Sequence, residues 1–165
     1  MHPTSYAFVE FQVARYGPFE SVLEVGSRDI NGTVRPIFED SPKYLGIDME
    51  PGPGVDEVVH VTDLAKWGFH CIVSTNALEH DPKAGESLAA MWSRLRKGGF
   101  LILTCAGPGF GEHSGRSESM VLEPGEHYEL IDVEKMIGWV KAAGRWEWWS
   151  VEENGHDITV VARRA

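Results

Sequence analysis

An acidic residue and a glycine at the end of one predicted strand are the first pointer to chemistry in this sequence. Residues 21–25, Ser-Val-Leu-Glu-Val, predict a buried β-strand because their apolar members are β-prone. Glu24 interrupts the apolar run, and a buried carboxylate is costly unless another group interacts with it. Gly26 follows and has no Cβ, so a ligand can approach the backbone closely. Open α/β sheets bind nucleotide-like ligands at such strand ends.

Three histidines are candidates for acid–base chemistry. His80 follows the fourth predicted strand, whereas His113 and His127 lie in a long segment, 106–130, that is rich in Gly, Glu, His and Ser. The unperturbed pKa of imidazole is near 6.5, so each ring can take a proton from an acceptor oxygen or nitrogen. Long loops in compact domains are usually functional or mobile, and we expect this one on the substrate side. The alternatives are a helix-start residue for His80 and solvated loop residues for the other two.

Composition and charge narrow the class of protein. The chain has 165 residues and a formal net charge of -10, which suits one globular domain over 1–165 and makes naked nucleic acid an unlikely partner. No apolar run approaches the roughly 20 residues of a membrane span, and the N-terminus does not resemble a signal peptide. We therefore expect no membrane partner and a cytoplasmic location.

The cysteine and histidine spacing predicts no metal site. Cys71 and Cys105 both fall in apolar, strand-like runs, which favours buried free thiols in a reducing compartment. No Cys/His spacing is typical of zinc binding, so the sequence predicts no metal requirement.

Strands and helices alternate along the first two thirds of the chain. Helices are predicted at 4–16, at 32–38, from a cap at Asp81 to the Gly98-Gly99 stop with Leu95 on its buried face, and from Asp132 to Gly144. Strands are predicted at 21–25, 44–48, 57–61, 70–75, 100–105, 145–151 and 157–162. This alternation indicates a parallel, doubly wound sheet, and the Asn154-Gly155 turn makes the last two strands antiparallel.

The segment 23–32, Leu-Glu-Val-Gly-Ser-Arg-Asp-Ile-Asn-Gly, resembles motif I of class I S-adenosylmethionine-dependent methyltransferases. It is most similar to the small, methyltransferase-type-11-like subgroup that reads Leu-Glu-Val-Gly-Ser-Arg-Asp-x-Asn-Gly. Arg28 and Ile30 stand where the commoner Gly-x-Gly-x-Gly form has its later glycines. The resemblance, closest over residues 20–105, implies an α/β, Rossmann-like, doubly wound sheet of seven strands. That sheet is mostly parallel, with one antiparallel strand in the C-terminal hairpin.

The resemblance implies S-adenosylmethionine as cofactor and S-adenosylhomocysteine as product. Asp48 ends the second predicted strand, where a carboxylate can accept both ribose hydroxyls. By resemblance, Glu24 orients the amino acid end of the ligand, and Gly26 and Ser27 border its methionine part. Asn31, in the same turn, is included among the cofactor-binding residues. A solvated strand-end aspartate and a salt-bridged glutamate are the alternatives for the two carboxylates.

The resemblance extends to the adenine and methyl ends of the ligand. It implies that the Asp63 carboxylate and the Leu64 N–H meet the adenine ring, although Asp63 can also cap a helix. Met49 resembles the residue that packs on the adenine face, with a simple loop anchor as the alternative. Asn76 and its neighbour Ala77 would offer carbonyl oxygens to the methionine ammonium. The N-terminal segment 1–19 is either a packing helix or a flap over the cofactor.

The predicted function is in-line transfer of a methyl group to an O, N or C atom of a small-molecule acceptor. Such a reaction needs positioning and desolvation more than a dedicated base. A monomer or homodimer is expected. One alternative is a non-catalytic cofactor-binding or partner subunit of the same fold. A nicotinamide-dependent oxidoreductase is a third hypothesis, and the C-terminal hairpin argues against it.

Overall fold

A computed structural model describes residues 3–165. The helices are α1 (Pro3–Tyr16), α2 (Ala84–Arg94) and α3 (Val133–Ala143). The strands are β1 (Ser21–Val25), β2 (Lys43–Asp48), β3 (Glu57–Val58), β4 (Phe69–Thr75), β5 (Leu95–Ala106), β6 (Trp146–Asn154) and β7 (Asp157–Arg164). Short 3₁₀ turns cover Arg35–Phe38 and Leu78–His80. None of the helices in residues 3–165 has the length and hydrophobicity of a membrane-spanning segment.

The seven strands form one sheet in the order β3-β2-β1-β4-β5-β7-β6. The pairings among β1 to β5 are parallel, whereas β7 is antiparallel to both β5 and β6. The predicted fold class is therefore confirmed, including the reversed strand that the Asn154-Gly155 turn produces. Because the strand order reverses direction between β1 and β4, a crevice opens at their carboxyl ends.

Apolar side chains cover both faces of the sheet. One cluster joins the sheet to α2 and α3 through residues such as Leu88, Met91 and Met136, and the other packs α1 and the first 3₁₀ turn against the opposite face. Both faces are covered, which explains why the central strands read as nearly continuous apolar runs. Cys71 and Cys105 are free and buried, as predicted.

Several element boundaries differ from the prediction. The helix predicted at 32–38 is a 3₁₀ turn over Arg35–Phe38, with Pro36 in its first turn. The helix predicted to reach Gly98 ends at Arg94, and Leu95 is the first residue of β5, paired with Phe69. The Arg94 carbonyl accepts a hydrogen bond from Gly68 N (2.7 Å), so pairing with the start of β4 ends the helix early. The same helix begins at Ala84, because the Leu78–His80 turn and Asp81 occupy the predicted start.

The third strand is shorter than the predicted 57–61. Only Glu57 and Val58 pair with β2, after which residues 59–61 leave the sheet. These residues turn toward the crevice and contribute to its wall.

Buried polar groups tie α1 to the carboxyl end of β4. The Oδ2 atom of Asp157 accepts hydrogen bonds from Thr4 Oγ1 (2.6 Å) and Ser5 Oγ (3.2 Å). Ser5 Oγ also lies 2.9 Å from Asn76 Oδ1. Among the non-glycine residues in 3–165, Asn76 is the one with a positive φ (48°). Asparagine tolerates this conformation better than most residues. This network fixes the backbone immediately after β4, where the crevice begins.

Substitutions of Asn76 will separate its side-chain bonds from its backbone conformation. Both Asn76→Gly and Asn76→Ala remove the side-chain hydrogen bonds, but only alanine is strained at positive φ. We expect Asn76→Ala to be less stable than Asn76→Gly by roughly 0.5 to 1 kcal/mol, after the flexibility of unfolded glycine is deducted. Urea unfolding of both variants measures the difference. Equal stabilities, or a more stable alanine variant, would contradict the prediction.

Candidate functional site

A pocket of about 290 Å³ lies at the carboxyl ends of β1, β2 and β4. Its wall comes from the turn after β1, the ends of β2 and β4, residues 59–61, and the loop after β5. The predicted site residues that line it are Glu24, Gly26, Ser27, Asn31, Asp48, Met49, Asn76, His80 and His113. The sheet therefore brings together side chains from segments that are far apart in the sequence.

The turn after β1 packs closely against the end of β4. Gly26 has φ +78°, and a Cβ built on it would lie 2.4 Å from the Cβ of Ala77. Gly26 N and Ser27 N both donate to the Ile47 carbonyl, at 2.9 and 3.0 Å. Glycine is thus required here by a close contact within the chain and by backbone conformation. The sequence suggested a further reason, the close approach of a ligand.

The carboxylate of Asp48 is oriented by backbone amides. Its Oδ2 atom accepts a hydrogen bond from Arg28 N (3.2 Å), and its Oδ1 atom accepts one from Glu50 N (3.0 Å). Each carboxylate oxygen has a further lone pair for a ligand. Met49 follows and is 52% exposed at the pocket wall, an unusual position for a large apolar side chain.

Glu24 is a buried acid at the floor of the pocket. Glu24 is 3% exposed, and its Oε2 atom accepts a hydrogen bond from the Tyr44 hydroxyl (2.6 Å). Burial raises the pKa of Glu24 to about 7, although the Tyr44 hydrogen bond and the nearby Arg35 act in the opposite direction. A positively charged group bound nearby would therefore favour the ionised form of this carboxyl group.

The opposite end of the pocket holds a pair of histidines. The Nε2 atoms of His80 and His113 lie 3.2 Å apart, and the two rings are nearly perpendicular. Burial, with a contribution from His113, lowers the pKa of His80 to about 4, so this ring is neutral at pH 7. The rings of Tyr128 and Phe110 pack edge-on against the pair.

The loop after β5 is held to the end of β2 through Glu50. Arg28 lies 2.7 Å from one oxygen of Glu50, and Arg116 of the loop lies 3.0 Å from the other. Within the loop, Ser114 is buried and donates to Glu126 Oε1 (2.8 Å). Residues 107–132 contain no helix or strand, whereas the predicted loop was 106–130, and Ala106 is the last residue of β5. Several residues of this loop cover one side of the pocket.

Some predicted site residues lie outside the pocket lining. His127 is not among the lining residues, and its Nε2 atom is buried without a hydrogen-bond partner in the described chain. Asp63 is exposed, and the Leu64 side chain is buried in the apolar core. The structure therefore does not bring these three side chains to the pocket wall.

Other residues that the sequence analysis did not single out complete this wall. His60 lies between Asp81 and Thr62, with its Nε2 atom 3.2 Å from Asp81 Oδ2 and its Nδ1 atom 2.7 Å from Thr62 Oγ1. Ser87 Oγ also contacts both His60 and Asp81. The sequence signal for this network is Asp81, the acid before Pro82, which by itself predicts only a helix cap.

Solved structures resemble this chain closely in fold and weakly in sequence. A methyltransferase from Mesorhizobium loti that depends on S-adenosylmethionine is 15% identical, with a TM-score of 0.62 over 90% of this chain and 92% of its own. The 1,6-didemethyltoxoflavin-N1-methyltransferase of Burkholderia thailandensis, solved with its substrate and S-adenosylhomocysteine, is 16% identical, with a TM-score of 0.67 over 98% and 77%.

This chain has the Rossmann-like methyltransferase fold. The [4+2]-cyclase SpnF has a similar structure, with a TM-score of 0.68, 12% identity, and coverage of 94% of this chain and 79% of its own. The methyltransferase fold therefore also carries other chemistry. No protein-family model matches the sequence, and no curated protein matches it.

The raised pKa of Glu24 predicts a pH-dependent stability. The pKa rises from 4.5 to about 7 on folding, so between these values the folded state holds more protons than the unfolded state. Stability must then fall as pH rises through this window, by up to about 1.4 kcal/mol per pH unit for one group. Burial raises the pKa of Glu79 to about 7 as well, and that group adds to the same trend.

Glu24→Gln isolates the contribution of Glu24, because glutamine can still accept the Tyr44 hydrogen bond. We expect the free energy of unfolding of the wild type to fall more steeply between pH 5 and 7 than that of the variant. Urea unfolding across this range provides the measurement. Parallel pH profiles for the two proteins would show that Glu24 does not titrate in this way.

Proposed function

We propose that the pocket binds S-adenosylmethionine and that the protein transfers its methyl group to a small-molecule acceptor. The observation that carries this proposal is the placement of Asp48 and Glu24 in one pocket on either side of the Gly26 turn. A ligand with a hydroxyl pair at one end and an ammonium group at the other fits this separation of two acids. The fold shared with methyltransferase structures supports the same ligand.

The ribose and methionine parts of the ligand meet the turn after β1. Asp48, held by two backbone amides, accepts the ribose hydroxyls. Glu24 loses its proton as the ligand ammonium approaches, because a nearby cation stabilises the carboxylate. The backbone around Ser27 and Asn76 borders the methionine part, where carbonyl oxygens of the β4 end complement the ammonium.

The adenine ring occupies the wall formed by Met49 and residues 59–61. Val59 and Val61 offer apolar surface there, while the backbone between them offers hydrogen-bonding groups to the ring edge. Asp63 and Leu64 are the residues that the family resemblance implies for this role. They would reach the ring only if the segment after residue 61 moved toward the pocket.

The acceptor enters at the histidine end of the pocket. His80 and His113 are the candidate bases because both line the pocket and His80 is neutral at pH 7. His127 does not line the pocket and is therefore not a candidate base in this structure. The net charge of -10 favours a small acceptor over a nucleic acid.

Removal of the Asp48 carboxylate tests cofactor binding. Asp48→Ala eliminates two hydrogen bonds to a charged acceptor, so we expect S-adenosylhomocysteine to bind about 100-fold more weakly. Isothermal titration calorimetry on the purified protein measures the change. Asp40→Ala, which removes an exposed acid outside the pocket, is the matched control and keeps the wild-type affinity. Equal affinity in both variants, or no binding by the wild type, would overturn the assignment.

A protein of the same fold that binds the cofactor without transferring its methyl group is the second candidate, because the fold also occurs in a protein that is not named as a methyltransferase, the [4+2]-cyclase SpnF. Turnover of S-adenosylmethionine is measured with a panel of small hydroxyl, amine and carbon acceptors. Formation of S-adenosylhomocysteine that depends on an acceptor supports the enzyme. Tight cofactor binding without turnover across a chemically broad panel favours the binding subunit.

A further inference from the structure

A group of potential metal ligands lies at the acceptor end of the pocket. One carboxylate oxygen of Glu79, one ring nitrogen of His80 and one of His113 all lie within 4.8 Å of one another. The two Nε2 atoms are 3.2 Å apart. Two nitrogen ligands on a tetrahedral zinc ion are separated by about 3.3 Å, given bonds of about 2.05 Å. The histidine pair therefore already has the spacing of two ligands of one ion.

Glu79 supplies a second, independent observation. This residue is 0% exposed, and its Oε1 atom accepts a hydrogen bond from Ala106 N (3.0 Å). Its Oε2 atom is also buried and has no hydrogen-bond partner in the described chain. A buried carboxylate oxygen without a partner costs stability, so it is expected where it binds something. His80 and His113 lie close enough to share a cation with this carboxyl group.

The surroundings of His113 favour a ligand role for its Nε2 atom. Its Nδ1 atom lies 3.0 Å from the Gly111 carbonyl, which only accepts hydrogen bonds. Nδ1 must therefore carry the hydrogen, and Nε2 of the neutral ring presents a lone pair toward His80. A ring that donates to a backbone carbonyl through its other nitrogen is the usual arrangement of a metal-binding histidine.

We propose that Glu79, His80 and His113 form a binding site for a divalent transition-metal ion. Two imidazoles and one carboxylate match the ligand sets of catalytic zinc and of non-haem iron(II), both of which leave coordination positions open. The sequence predicted no metal because these ligands come from two segments more than 30 residues apart, without the spacing of a compact motif.

The ion would define the class of acceptor. His80 and His113 line the pocket, so the open positions face the space where the acceptor enters. With Glu79 ionised the site would carry one negative charge, so a divalent ion would leave it positive and would favour loss of the proton from a bound hydroxyl group. That proton would pass to solvent, because the facing nitrogens of His80 and His113 would be occupied as ligands. This part rests on the proposed methyl transfer and identifies the acceptor as a hydroxyl compound whose oxygen binds metal. The metal site itself does not depend on that function.

Metal binding is measured on the full chain, purified and treated with chelator. Zn²⁺ is titrated by calorimetry, and Co²⁺ is titrated by its visible absorption, which reports ligand number and geometry. We expect one equivalent of each ion, and visible Co²⁺ bands typical of four or five ligands. His113→Gln and Glu79→Gln are each expected to weaken Zn²⁺ binding by at least about 100-fold. His156→Gln, which removes an exposed histidine outside the pocket, is the control and keeps the wild-type affinity.

The possible outcomes separate this proposal from the proposed function. No stoichiometric Zn²⁺ binding by the wild type, or equal loss in the His156 control, overturns the metal site. Binding that survives in both ligand variants also overturns it. Circular dichroism and thermal unfolding of the two ligand variants are compared with those of the wild type and show whether the variants are folded, and S-adenosylhomocysteine affinity is measured separately on the wild type. If S-adenosylhomocysteine fails to bind to the wild type while Zn²⁺ binds, the proposed methyl transfer is overturned and the metal site is supported.

Discussion

The close packing of the turn after β1 against the end of β4 is the constraint on which the pocket depends. Gly26 can approach Ala77 because it has no Cβ and adopts a positive φ. A larger residue would push the two strand ends apart and widen the floor of the pocket. The same turn is bonded to the Ile47 carbonyl, so β1, β2 and β4 converge at one point. This backbone contact therefore helps to place the acids and histidines that line the pocket.

The two ends of the pocket differ in their donor atoms. At one end Asp48 and Glu24 offer carboxyl groups, one oriented by amides and the other buried beside a tyrosine hydroxyl. At the other end the rings of His80 and His113 pack against the ring of Tyr128, and the buried carboxyl group of Glu79 lies close to the two imidazoles. The first end therefore offers oxygen atoms, whereas the second combines oxygen with imidazole nitrogen. An extended ligand meets a different environment at each end.

Much of the fold was accessible from the sequence because it follows from local patterns. The glycine turn, the apolar central strands and the Asn154-Gly155 hairpin each depend on neighbouring residues, and the structure confirms the sheet that they predict. Boundaries set by tertiary pairing were missed. Leu95 fits a helix face by spacing, yet pairing with Phe69 draws it into β5.

The place of Asp48 at the pocket was predictable because this residue ends a strand. Contacts between distant segments were not predictable. The contact of His80 with His113 depends on the path of a loop without regular structure, and no local pattern encodes that path. The wall at residues 59–61 likewise forms where β3 ends. Val58 pairs with Asp48, which is the last residue of β2, and the following residues leave the sheet.

The attachment of the long loop through Glu50 affects access to the pocket. The contacts of Arg28 and Arg116 with this carboxylate are partly exposed to solvent, and ion pairs of that kind contribute about 0 to 1 kcal/mol each. Because Glu50 stands two positions after Asp48, the long loop and the Asp48 end of the pocket meet at one carboxylate. Separating the loop from this end of the pocket therefore costs little free energy.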